Sequence, residues 1–143
     1  MLHGTATAVT LFLTALLFGS MLFFAAIVTP AAFKALDKEH SGQYLQVLFP
    51  RFYTWGIVLS ILTVISATLI SWVVAAPMVL VALSFAYARQ WLMPKINRYR
   101  IPARNGDAQA QQIFKQLHGS SVLIHLAQMG LLLIGFVLAW RAV

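Results

Sequence analysis

The sequence has no cysteine and only three acidic residues, Asp37, Glu39 and Asp107, in a chain of 143. Without thiols there is no disulfide framework, no thiolate metal site and no thiol redox chemistry. None of the three carboxylates falls inside an apolar stretch, which excludes paired-carboxylate catalysis there. The chain also lacks a glycine-rich phosphate loop, a nucleophile elbow and an HExxH helix. Charge of either sign is scarce, at 9% of residues, against about 25% in soluble domains. Ten Lys and Arg nevertheless leave a net charge of +7. In a water-soluble chain that excess would point to nucleic acid. Here 61% of the residues are hydrophobic, so the basic residues read as topology signals beside membrane spans, with the lipid bilayer and not nucleic acid as the partner.

What is present are three long runs free of Asp, Glu, Lys and Arg: residues 1–33, 52–88 and 116–140. A helix crossing the hydrocarbon needs about 20 residues. The first and third runs supply one span each. The first lacks a basic leader and is longer than a signal-peptide core, so it reads as a retained span. The middle run is long enough for two, and Pro77 in "VVAAPM" is the residue that can end one helix and start the next. The expected spans are residues 5–33, 52–75, 77–93 and 118–140, in a single transmembrane domain covering 1–143. Between the first two spans, residues 43–49 read as a short helix on the membrane surface that Pro50 ends or kinks. Before the fourth, Asn105-Gly106 signals a turn and Asp107 a helix cap, so that helix is expected to begin near Asp107.

Lys34, Lys38 and Arg51 lie in or beside the first connection; Arg89, Lys95, Arg98, Arg100, Arg104 and Lys115 lie in or beside the third. Only Arg141 lies on the other side. Basic residues stay cytoplasmic, so both termini are expected on the non-cytoplasmic side of the inner membrane. The alternating order makes an all-α, antiparallel four-helix bundle the simplest packing. Gly56, Ser60, Thr63, Ala67 and Ser71 place small residues along one side of the second span, fit for a bundle seam or for a homo-oligomer face.

A few polar residues sit where lipid should be. The third span reaches the inner surface only if Arg89 lies within it, about 18 Å from Pro77. Arg89 then either snorkels to the interface or faces the bundle interior. On the fourth span His118, Ser121, His125 and Gln128 recur at steps of three, four and three. That spacing makes one polar stripe, with His118 at the interface and His125 about 10 Å deeper. Polar side chains in a span turn towards other helices or a watery cavity. The expected site is a cytoplasm-facing pocket formed by Arg89, His118, Ser121, His125 and Gln128. His125 and Met129, four apart, also offer nitrogen and sulfur to a soft ion such as copper(I), or an axial ligand to haem. Ser121 and His125 lack an acidic orienter, so no enzyme activity is expected.

Four segments, "FFAAIVTPAAFKAL", "LFPRFYTWG", "ARQWLMPKINRYR" and "LHGSSVLIHL", occur in order across nearly the whole chain. Together they resemble the transmembrane-protein-205-like membrane proteins, whose bacterial members carry a domain of unknown function. The resemblance implies four spans and marks Phe49, Pro50, Arg89, Pro94, His118 and Ser121 as motif positions. It departs at His125, where the family pattern has asparagine. Three functional expectations stand side by side. One is a small inner-membrane protein that binds or moves a small anionic ligand through the pocket. The second is a copper- or haem-handling protein. The third is a structural or assembly subunit of a larger membrane complex.

Overall fold

The computed structural model describes residues 2–142. Four long helices follow one another: α1 (His3–Ala35), α2 (Lys38–Thr68), α3 (Trp72–Arg104) and α4 (Ala108–Trp140), each apolar and long enough to cross a membrane. They run alternately up and down. Neighbours in sequence pack side by side, α4 closes back on α1, and α1 and α3 sit across the diagonal.

Each connection is short, and its chemistry explains why it stops where it does. Asp37 caps α2, its carboxylate accepting from the Glu39 and His40 backbone N–H groups at 2.9 Å each. Ser71 caps α3 through Val74 N–H at 3.3 Å. Asp107 caps α4 through Ala110 N–H at 3.0 Å, as the sequence predicts. Gly106, at φ 94°, takes the left-handed turn between α3 and α4 that a side chain would resist.

Three boundaries differ from expectation. The α2–α3 turn lies at residues 69–71 and not at Pro77, which sits inside α3. The serine cap supplies a partner for a free N–H, whereas proline removes only one helical bond. In lipid that single loss is tolerated. Likewise Pro50 neither ends nor separates a surface helix: α2 runs unbroken from Lys38 to Thr68 through it. The third helix also continues past Met93 to Arg104.

Prolines do leave a mark elsewhere. Pro30 and Pro94 each follow a wide turn, at Phe24–Val28 in α1 and Ala88–Leu92 in α3. A proline ring clashes with the carbonyl four residues back and offers it no N–H. The helix widens there to five-residue bonds, Thr29 N–H reaching the Phe24 carbonyl and Met93 N–H the Ala88 carbonyl. The Thr29 hydroxyl adds a second donor to the Phe24 carbonyl at 3.1 Å.

The core is a dry seam with a layer of aromatic rings at the level of these wide turns. Phe52 of α2 is its hub. It stacks on Phe24 of α1 (4.1 Å between ring centres), meets Phe85 of α3 edge-on (6.1 Å), and lies against His125 of α4 (6.2 Å). Two glycines admit the bulkiest side chains: a Cβ on Gly56 would overlap the Phe85 ring, and one on Gly135 would overlap the Met78 methyl. Towards the far end, Thr10 of α1 donates to Ser66 of α2 at 2.8 Å. Ser66 in turn donates to its own helix at Thr63. Buried Thr7, Thr10 and Thr14 recur along α1 like a second seam.

Candidate functional site

Depth can be read along the helices. Trp72 opens α3 and Trp140 closes α4, both exposed at one end of the bundle. Exposed Trp55 and Trp91 lie about 20–28 Å further along their helices. Tryptophan belts mark the two faces of a bilayer whose hydrocarbon is about 30 Å thick. Helices of 31 to 33 residues are about 47–50 Å long. Their surplus therefore projects beyond the Trp55–Trp91 belt, at the end that holds nine of the ten basic residues.

The five expected site residues do not gather in one pocket. The buried face of α3 at this level is taken by Phe85, Ala88 and Leu92. That turns Arg89 onto the outer surface, where it is exposed. A guanidinium is cheaper at the surface than in a dry seam, because its head can reach the interface. His118 is exposed beyond the belt, its ring parallel to that of Phe114 at 6.3 Å on its own helix. Ser121 bonds back to the His118 carbonyl at 2.7 Å, an ordinary self-contained serine. Gln128 is inside, 2% exposed, and donates to Ser84 of α3 at 2.9 Å. It bridges two helices. The stripe thus turns across the helix surface: His118 faces away from the bundle while its neighbours Phe114 and Leu117 pack against the core, and Gln128 is packed inside.

His125 is half-buried between Phe52 and the backbone of Met21 on α1, with Nε2 enclosed and unbonded. Met129 packs partly against the core one turn on. Among the described residues no three of His, Cys, Asp and Glu form a group that could hold a metal ion. His125 and Met129 remain two donors on one helix, with no further His, Cys, Asp or Glu grouped with them.

What the structure does assemble is a groove on the outer face of α2 and α3. It has a volume of about 640 Å³ and is lined by Gln46, Val47, Pro50, Arg51, Thr54, Trp55, Val58 and Arg89. The α2 residues recur every three or four positions, so they form one helical face. Arg51 and Arg89 lie at matching depth, each about 25 Å along its helix from the α2–α3 turn. Arg51 gives one N–H to the Val47 carbonyl at 3.0 Å. Among the described residues Arg89 has no hydrogen bond or ion pair. The ion pairs among the described residues, His40–Asp37 and Arg104–Glu39, lie at the helix ends. Trp55 is steadied by its indole N–H on Ser20 of α1 at 3.2 Å, and the Thr54 hydroxyl is held by the Pro50 carbonyl at 2.8 Å. Pro50 supplies no N–H, so the Gln46 carbonyl beside the groove lacks its helical donor.

Residues 12–104 match a family described as a domain of unknown function, DUF4149, well over half of the chain. The chain belongs to the DUF4149 family. The match takes in α2 and α3 and so both arginines of the groove. Comparison with curated proteins gives no match, and comparison with solved structures gives none. Sequence reasoning singled out Arg89 but treated Arg51 only as a topology signal. The clue that pairs them is arithmetic: once the turn is placed at residues 69–71, the two stand equally far from it.

Proposed function

We propose that this DUF4149 protein is a multi-pass protein of the inner membrane, with its basic end in the cytoplasm, that binds or moves a small anionic ligand. The ligand site is the α2–α3 groove and not the interior of the bundle. One observation carries the reading. Arg89 is exposed at the hydrocarbon edge without an acidic partner among the described residues, in the same groove as Arg51. A guanidinium at this edge can reach the interface but has no counter-charge of its own among the described residues, and arginine's planar fork grips phosphate or carboxylate through two bonds at once. Nine basic residues at one end favour the cytoplasmic orientation. The likeness to the transmembrane-protein-205-like proteins, in which Arg89 is a motif position, agrees with a role for this arginine.

The test is thermal unfolding of the purified protein in a neutral detergent with octyl phosphate or inorganic phosphate added. A melting temperature that rises with either probe in the wild type, and not in Arg89→Ala, supports the site. No rise in the wild type, or an equal rise in both proteins, overturns it.

A further inference from the structure

We infer that the occupant of the groove is the headgroup of an anionic phospholipid from the membrane leaflet at the basic end, held by Arg51 and Arg89 with its acyl chains lying upward along α2. This inference rests on the anion reading above and names its chemistry.

Four observations converge on a lipid and not on a dissolved anion. The first is depth. Both arginines have their backbones just inside the hydrocarbon edge, about 25 Å from the far turn, so that their long side chains reach outward to the level of a phospholipid's phosphate. The other basic residues of this end lie further out along the helices or in the connections, where soluble anions are met first. The second is direction. The groove is on the flank of the bundle and opens sideways, so its natural entrant diffuses in the plane of the membrane. The third is its graded lining. Gln46, Val47 and Pro50 lie outermost, Arg51 and Arg89 next, then Thr54 and Trp55, with Val58 one further turn towards the bilayer centre. From the arginines inward the lining turns aromatic and then aliphatic, which suits a phosphate at the arginines and an acyl chain above them. The fourth is donor supply. Arg89 keeps all five of its N–H groups uncommitted and Arg51 most of its own. Neither is neutralised by a carboxylate among the described residues.

Pro94 is what holds the geometry. The wide turn it enforces at Ala88–Leu92 carries Arg89, with Ala88 inward and Arg89 outward. On α2, Arg51 faces outward beside Phe52, the hub of the aromatic layer, so a rigid core backs the site.

The experiment is native mass spectrometry of the purified protein after exchange into mixed micelles containing either phosphatidylglycerol or phosphatidylcholine of identical chains. The expected result is one retained phosphatidylglycerol per chain, favoured over phosphatidylcholine by about tenfold or more, as two juxtamembrane cations would give. Retention should fall by a similar factor in Arg51→Ala/Arg89→Ala. It should stay unchanged in Lys95→Ala/Arg98→Ala, which loses the same charge at the same end outside the groove. Circular dichroism of both variants, expected to match the wild type, checks that each folds. Arg89→Lys, which keeps charge but not the fork, should give intermediate retention. Displacement of the lipid by millimolar inorganic phosphate would overturn the lipid assignment and leave the anion reading standing. Equal retention by wild type and the groove variant would overturn both. Equal loss in the two double variants would reduce the effect to general surface charge and overturn the site.

Discussion

Single side chains in this bundle are judged by whether they face a helix or the lipid. Lipid is as apolar as leucine, so packing and a few internal hydrogen bonds hold the helices together. The glycines show how local that judgement is. Gly135 lies where a Cβ would overlap Met78, whereas a Cβ on Gly130, on the same helix, meets nothing within 4 Å. Gly135→Ala should therefore destabilise the protein by about 1–3 kcal/mol through overpacking. Gly130→Ala should leave it unchanged or raise stability by about 0.5–1 kcal/mol through helix propensity. Thermal unfolding in detergent separates them; a Gly135→Ala protein that melts with the wild type would mean that Met78 swings aside freely. Residue by residue, the sequence disclosed chemistry better than direction. Arg89 is legible as an arginine that a span must include, but its outward turn depends on Ala88 and Leu92 filling the seam. The stripe of His118, Ser121, His125 and Gln128 is real as spacing on one helix. It fails as a pocket because Phe114 and Leu117 take the packed face of α4, leaving His118 exposed, while Gln128 is engaged with Ser84.

Helix ends were legible where a cap had a familiar form and obscure where proline drew attention. Asp107 was readable because Asn-Gly precedes it. Asp37 caps α2 just as directly, yet "DKEH" reads as polar loop until Lys38 is seen to start a helix. Pro50 and Pro77 suggested breaks, because a lone sequence cannot tell a helix with packed neighbours from one exposed to water. Surrounding helices make up for one lost bond. The Asp37 cap carries its own prediction. Its carboxyl is held below the ordinary 3.8 by the His40 backbone N–H first, then by the His40 ring at 2.7 Å and the Glu39 N–H. A carboxyl whose folded value is depressed stabilises the fold above its unfolded value and loses that contribution as pH falls through the folded one. Amide protection at Glu39 and His40 should thus be full at neutral pH and fade on acidification, only once the pH drops below 3.8. Hydrogen exchange across that window checks it; in Asp37→Ala the acid-dependent loss should vanish. Protection that survives to lower pH unchanged in the wild type would place the helix start under other control.

At the scale of the molecule, four spans and antiparallel order could be read from uncharged runs alone, because the cost of burying charge in hydrocarbon leaves few alternatives. The proposed membrane orientation rests on the basic residues. A cysteine placed at Ala142 should react with an impermeant thiol reagent added outside intact cells, and one placed at Gly106 should react only after the membrane is opened. The reverse pattern would invert the orientation and move the groove to the opposite leaflet. The groove itself was not legible: it exists only where two helices lie side by side with their arginines level, and that needs the position of one turn. This turn, residues 69–71, has a further consequence for how the chain is made. It is the only part of the α2–α3 pair that must emerge on the far side of the bilayer, and it bears no ionised side chain. The two helices can therefore slip into the membrane together as a hairpin, drawing no charge through the oil and leaving both arginines at the doorway where they began.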